Sequence, residues 1–382
     1  MISLPYGRTP LRLSADARHV EVLRARELPP APPLDGLLDG ALASPIGAAP
    51  LAQIVTPGMR VTVIVSDATR AEPRSALLSA IRRSLGTRSH ELAWTIAIAT
   101  GTHGPCREVA ALGLDALPGA RIINHDGHDP RDLVDLGVTA RGTPVRVHRC
   151  VVDADVVIAT GCIRPHYFAG FGAGVKAIFP GLGEAAAIRI NHRLKTAAGS
   201  RAGIVDGNPC REDLVDAVSR VPATKYLLNG VIGPDGAIHA AVAGDIVDAF
   251  RAGADLARPW FTVRAKPAQL VIASDSLPVT ATLYQAAKIA AAAAPLVAPG
   301  GTLVIAAECA DGIGGLDVVN EAILRIGVLP RLAPGVKLAL VSSLAPDEVA
   351  KTLVEYAAEL PESTERTLVL PNASQLICEP LS

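Results

Sequence analysis

Neither sign of charge is in excess: 36 lysines and arginines stand against 37 aspartates and glutamates. That balance removes any global pull toward nucleic acid or an anionic membrane, so an anionic ligand must be held by local groups. The six cysteines, Cys106, Cys150, Cys162, Cys210, Cys309 and Cys378, include no Cys-x-x-Cys pair. This argues against a zinc ribbon or a thioredoxin-type motif and fits a reduced compartment. The first residues, Met1 to Gly7, lack the basic flank and apolar core of a secretory leader. No apolar run reaches the roughly 18 residues that would cross a bilayer. The expectation is a soluble, cytoplasmic protein with neither nucleic acid nor membrane as partner.

A chain of 382 residues exceeds one ordinary domain, so two domains with a ligand cleft between them are expected. From about residue 60, β-branched runs alternate with longer helical patterns, the signature of a largely parallel α/β architecture flanked by helices. Val61 to Ser66, Leu92 to Ala99, Arg121 to Asn124 and Asp155 to Thr160 read as buried strands. Pro73 to Leu85, Arg211 to Val221 and Asp245 to Leu256 read as helices. A helix stops near Arg258-Pro259-Trp260, and a second α/β set follows Lys266-Pro267. It comprises strands Gln269 to Ala273, Thr302 to Ala306, Val336 to Val341 and Thr367 to Leu370, with helices Ala281 to Ala294, Leu316 to Ile326 and Pro346 to Leu360. The expected domains are therefore 1–264 and 265–382. Residues 1 to 55, with two short strands and a proline-rich turn, are expected to wrap the first domain.

Three strands end in bursts of polar residues and glycine: Ser66-Asp67-Ala68-Thr69-Arg70, Thr100-Gly101-Thr102-His103 and Thr160 to His166. In open α/β sheets the carboxyl ends of strands are where ligands bind, although Asp and Thr there also cap the following helix. The densest signal follows, His166-Tyr167-Phe168-Ala169-Gly170-Phe171-Gly172-Ala173-Gly174-Val175-Lys176. Glycines let backbone N–H groups approach an anion, and the terminal lysine adds a mobile charge or a nucleophilic amine. It is not a Walker loop, because Lys176 stands between Val175 and Ala177, nor G-x-G-x-x-G, because its third glycine comes one position early. His125-Asp126-Gly127-His128-Asp129 offers metal-ligating types but reads as a polar turn, and His148 and His239 fall in strand or hairpin segments.

Taken together, Asp67-x-Thr69-Arg70, Gly101-Thr102-His103, the stretch Arg164 to His192 and Tyr284-Gln285-x-x-Lys288 resemble the nickel-dependent lactate racemase family, in that family's order, over residues 60 to 315. The resemblance implies a racemase or epimerase of a small 2-hydroxy acid. It implies a cofactor too, the nickel-pincer nucleotide (pyridinium-3-thioamide-5-thiocarboxylic acid mononucleotide with Ni(II)), attached at Lys176 and made by separate cofactor-synthesis enzymes. His192, sixteen residues after Lys176, matches the nickel ligand. His103 and His166 match the two acid/base histidines. Asp67, Thr69 and Arg70 match the segment touching cofactor and substrate, and Gln285 and Lys288 match further substrate-binding residues. The chain departs from the family's Gly-Phe-Ser-Gly-Gly-x-Lys: Gly172 replaces the serine and Ala173 a glycine. The run Ala307 to Gly314 also resembles the family, without an assigned role.

The chemistry explains why such residues are needed. The hydrogen on the hydroxyl-bearing carbon of a 2-hydroxycarboxylate is a poor acid beside an anionic carboxylate, so moving it as hydride while a base takes the hydroxyl proton is the easier route. No side chain accepts hydride, hence a cofactor. Imidazole suits the fourth position of square-planar Ni(II), and two histidines near neutrality can serve either enantiomer as base or acid. Arg70 can offer a planar fork to a carboxylate and Lys288 a point charge. An NAD-dependent 2-hydroxy acid dehydrogenase is the competing enzyme, weakened by the missing G-x-G-x-x-G. A non-catalytic cofactor- or ligand-binding protein of the same fold is the competitor from another class.

Overall fold

The computed structural model describes residues 2–13, 19–361 and 366–382. Contacts divide the chain into two compact units, Glu27–Trp260 and Met1–Arg26 together with Phe261–Ser382. Both are α/β, built on largely parallel sheets flanked by helices.

The sheet of the Glu27–Trp260 unit has six strands. In spatial order they are Ile238–Asp245, Thr224–Ile232, Val156–Ile163, Arg60–Ser66, Ala93–Ala99 and Arg121–Asn124. All neighbours are parallel except the first two. Numbered along the chain, this is the doubly wound order 3-2-1-4-5-6, read from the Arg121–Asn124 edge. Its winding reverses between Arg60–Ser66 and Val156–Ile163, and a crevice opens at the carboxyl ends of strands at such a point. Val156–Ile163 is buried along its whole length, as a central parallel strand covered on both faces must be. Leu77, Leu78 and Ile81 of helix Arg74–Leu85 close one face against Val61, Val63 and Val65.

In the other unit the main sheet has, among the described residues, six strands, all parallel, in the order Glu355–Tyr356, Lys337–Val341, Val297–Ala306, Ala268–Ser274, Thr367–Leu370 and Val20–Val22. Alternation sends Val271, Ala273, Leu303 and Ile305 toward helix Leu283–Ala293. Ile272, Val304 and Val369 point to the opposite face, where Leu4 and Leu13 of the hairpin Ile2–Leu4/Leu11–Leu13 cover them. Each of those two leucines contributes about 1.5–3 kcal/mol by burial.

Several expectations need correction. Residues 2–13 and 19–26 pair and pack with the C-terminal unit rather than the first one, so a division into 1–264 and 265–382 does not match the contacts. Helix Asp248–Phe261 runs past the expected last residue, Leu256, holds Pro259 inside it, and ends directly after the Arg258-Pro259-Trp260 segment where a stop was expected. The expected helix from Pro346 to Leu360 ends at Val349, and the chain returns to the sheet edge as strand Glu355–Tyr356. The helix expected from Leu316 to Ile326 lies at Val318–Val328, wound as a π-helix. Among the described residues no helix is long and apolar enough to cross a membrane.

Candidate active site

Ser66 and Ala99 are register partners on adjacent parallel strands, so the loops that follow them leave the sheet side by side. Asp67, buried, uses both carboxylate oxygens there. Oδ1 accepts the Thr69 backbone N–H at 3.0 Å and the Thr69 hydroxyl, and Oδ2 lies 2.8 Å from Nδ1 of His103. Burial alone would raise the Asp67 pKa, but the hydrogen bonds from His103 and Thr69 outweigh it and hold the pKa below the usual value. The buried Arg74 guanidinium ties the loop down by donating to the carbonyls of Ser66, Asp67 and Arg70. Arg70 itself is exposed, and its guanidinium has no hydrogen bond or ion pair among the described residues.

The second cluster is built by a tight hairpin, Pro165–His166 paired with Gly170–Phe171. Gly170 sits at φ +74, where a Cβ would fall 2.0 Å from the Ile204 carbonyl oxygen, so only glycine fits. This turn drives Phe168 inward. Around its ring lie His166 edge-on with centroids 4.6 Å apart, Tyr167 edge-on at 4.7 Å, His192 edge-on at 5.0 Å, and the Lys176 ammonium 5.5 Å from the centroid. The sequence offered no signal for Phe168 beyond its place in the glycine-rich run.

Lys176 sits in the short 3-10 turn Gly174–Ala177. Part of its side chain reaches solvent, and its amine has no hydrogen bond or ion pair among the described residues. Burial brings its pKa down to about 7; Cys210 opposes this, while Arg211 and Arg70 add to it. His192 follows helix Ala185–Asn191. Its Nδ1 is buried without a hydrogen-bond partner. Burial, then the charges of Lys176 and Lys195, take its pKa to about 4, so the ring is neutral at pH 7. The preceding Asn191 fixes this turn by donating from Nδ2 to Asp213 at 2.7 Å; Asp213 also accepts the hydroxyls of Thr139 and Thr143.

Behind the glycine loop, Arg211 donates from one nitrogen to the carbonyls of Phe171 and Ala173, both at 3.3 Å. Asn229 accepts the Gly174 N–H at 3.1 Å. A Cβ on Gly174 would meet Phe250 at 2.6 Å and Arg211 at 2.7 Å. Ala173 adopts φ 66 and ψ −161, a region almost reserved for glycine. The loop after Lys176 then meets the His103 loop through the Gly101 N–H, which donates to Gly181 O at 2.9 Å.

Gln285 and Lys288 lie in the other unit, on helix Leu283–Ala293, where the Lys288 ammonium donates to Oε1 of Gln285. The run Ala307 to Gly314 gains a role here. The carbonyls of Gly312 and Ile313 accept the otherwise unpaired N–H groups of Leu283 and Tyr284 at the helix start. His125 to Asp129 forms a turn in which Asp126 accepts the His128 N–H. Among the described residues no three His, Cys, Asp or Glu side chains gather as a metal site.

Polar groups collected at the switch point of a doubly wound sheet are the arrangement of α/β proteins that bind a small molecule or cofactor. The sequence profile of the lactate racemase N-terminal domain matches residues 6–204, and that of the C-terminal domain residues 263–324. The chain is 30% identical over 323 residues to the lactate racemase of Thermoanaerobacterium thermosaccharolyticum, covering 82% of this chain and 76% of that one. It is 28% identical to the lactate racemase of Lactiplantibacillus plantarum, covering 73% of this chain and 67% of that one. The structure of the T. thermosaccharolyticum lactate racemase apoprotein superposes with a TM-score of 0.86 at 25% identity, covering 99% of each chain. A Thermotoga maritima protein shares the fold at a TM-score of 0.65 and 16% identity, over 91% of this chain and 98% of that one. The chain belongs to the lactate racemase family.

Proposed function

We propose that this protein is a racemase or epimerase, an isomerase of a small 2-hydroxy acid, that works with a nickel-pincer nucleotide. The observation that carries the reading is the meeting at Phe168 of a lysine amine that has no hydrogen bond or ion pair among the described residues and a neutral histidine whose buried Nδ1 has no hydrogen-bond partner. A cofactor that brings three of its own donors to Ni(II) needs a single imidazole from the protein, and His192 has the protonation state for it. Lys176, partly neutral at pH 7, has a free electron pair for covalent attachment. When bound, the cofactor supplies a reversible acceptor for the hydrogen and electron pair of the hydroxyl-bearing carbon.

The remaining work falls to side chains of this chain. Arg70, exposed and without a partner among the described residues, takes the substrate carboxylate as a planar fork. His103 and His166 accept and return the hydroxyl proton. Gln285 and Lys288, already joined side chain to side chain, are further substrate-binding groups. Asp67 and Thr69 shape the loop that presents Arg70 and His103. The protein depends on cofactor-synthesis enzymes as suppliers and works in the cytoplasm, in keeping with six free cysteines.

The test is to produce the chain with and without enzymes that build the cofactor. Co-production should give a mass adduct at Lys176, nickel in the purified protein, and conversion of a single enantiomer of a 2-hydroxy acid to a mixture on chiral chromatography. His192→Ala should lose most of the nickel while staying folded. Turnover by the cofactor-free chain with NAD alone would overturn the reading.

A further inference from the structure

The two histidines are held by unlike partners, and the difference fixes where each ring carries its proton. Asp67 presents Oδ2 to Nδ1 of His103 at 2.8 Å, while its Oδ1 is occupied by the Thr69 N–H and hydroxyl. An ionised carboxylate only accepts hydrogen bonds, so Nδ1 of His103 must carry hydrogen. His166 meets the opposite partner. The Ala169 backbone N–H, which can only donate, points at Nδ1 of His166 at 3.3 Å. The hairpin pairing of His166 with Gly170 brings it there. That nitrogen must therefore hold a lone pair.

We infer that Asp67 and the Ala169 N–H set His103 and His166 in opposite neutral tautomers, with Asp67 acting as a positioning residue for His103. In the resting protein Nε2 of His103 is then a lone pair, and Nε2 of His166 carries hydrogen. The functional consequence rests on the acid/base reading proposed above. A 2-hydroxy acid whose hydroxyl faces His103 meets a base that accepts its proton at Nε2, giving an imidazolium whose Nδ1–H stays on Asp67. The mirror-image substrate, facing His166, meets a ring whose Nε2 already carries hydrogen. The enzyme is thus unequal toward its two substrates before the first turnover, although the equilibrium between them is unaffected.

Two-bond nitrogen–proton NMR of the cofactor-free full chain, labelled at histidine, reads the tautomers directly at a pH where the rings are neutral. H103Q and H166Q assign the two signals by their loss. The expected result is an Nδ1–H pattern for His103 and an Nε2–H pattern for His166. In Asp67→Asn the Thr69 N–H keeps the amide oxygen, so the amide nitrogen donates to His103 and its two ring shifts exchange. An Nε2–H pattern for His103 in the parent chain, or the same tautomer in both histidines, overturns the inference without any need for the variant. In cofactor-loaded enzyme D67N should lower kcat by about 10⁴-fold with KM little changed, the cost of a wrong tautomer in the Asp–His pair of a serine protease. Tautomers as stated with unchanged kcat would leave the assignment standing and overturn the acid/base reading instead.

Discussion

The guanidinium of Arg211 lies 3.5 Å from the centroid of the Phe250 ring and, among the described residues, forms no ion pair with a carboxylate. A buried cation stacked on an aromatic face and spent on two loop carbonyls is a brace, and only a planar fork fills that role. Arg211→Lys should loosen the loop: hydrogen exchange at the Gly174 amide, now bonded to Asn229, should speed up by about tenfold or more, a loss of about 1.4 kcal/mol of local protection. Unchanged protection would show that Asn229 alone holds the loop.

The three small residues of that loop should respond differently to substitution. Gly174→Ala places a Cβ into Phe250 and Arg211 at φ +66 and should cost about 2–4 kcal/mol in urea unfolding. Gly172→Ser, whose nearest neighbour would be 3.8 Å away, should stay within about 0.5 kcal/mol. Ala173→Gly releases an alanine from its strained dihedrals and should stabilise by about 1 kcal/mol, strain relief exceeding the extra freedom of the unfolded chain.

Lys176 offers a test by pH. Its folded pKa of about 7 lies below its ordinary 10.5, so between those values the unfolded chain binds more protons and stability rises with pH. Lys176→Met should therefore be more stable than the parent at pH 7 by on the order of 2 kcal/mol, after a discount for partial exposure, and the gap should narrow toward pH 10.5. Denaturant unfolding of the cofactor-free proteins at both pH values checks this; a gap that widens with pH would contradict the assigned burial.

His148 works at the acid end. Burial first, then His125, depresses it from 6.5 to about 4, while its Nδ1 accepts the Cys150 N–H at the start of a helical turn. Stability tied to this residue is present above pH 6.5 and is lost as pH falls toward 4. His148→Asn keeps an acceptor for the cap and removes the titration. Its loss of stability between pH 7 and 4.5 should be smaller than the parent's by about 2 kcal/mol.

The parallel sheet and its chemistry-bearing strand ends were legible because each rests on local pattern: β-branched runs for Arg60–Ser66 and Val156–Ile163, then polar residues where the strand leaves the sheet. What escaped was set by distant partners. The hairpin at Ile2–Leu13 has no local reason to join the far end of the chain; the uncovered face of Ile272, Val304 and Val369 supplies it. Pro346 to Leu360 reads as a helix until Tyr356 finds an edge position beside Leu340. In the site, histidines and the glycine loop announce themselves by residue type. Phe168, Asn191, Arg211 and Asn229 do not, because a ring, an amide or an arginine acquires its role only from what folds against it.

Among the described residues, strand Val20–Val22 has one neighbour in its sheet, Thr367–Leu370. On the ribosome these partners are made at opposite ends of the work, and everything from Glu27 to Trp260 is released between them. That intervening unit can close its own sheet while the first strand waits with its hydrogen-bonding edge bare, at a loop-closure cost that grows only slowly with length. A nascent chain halted before Thr367 would carry a finished sheet around residues 60–245 and an orphan strand at its tip, the kind of open edge that chaperones bind.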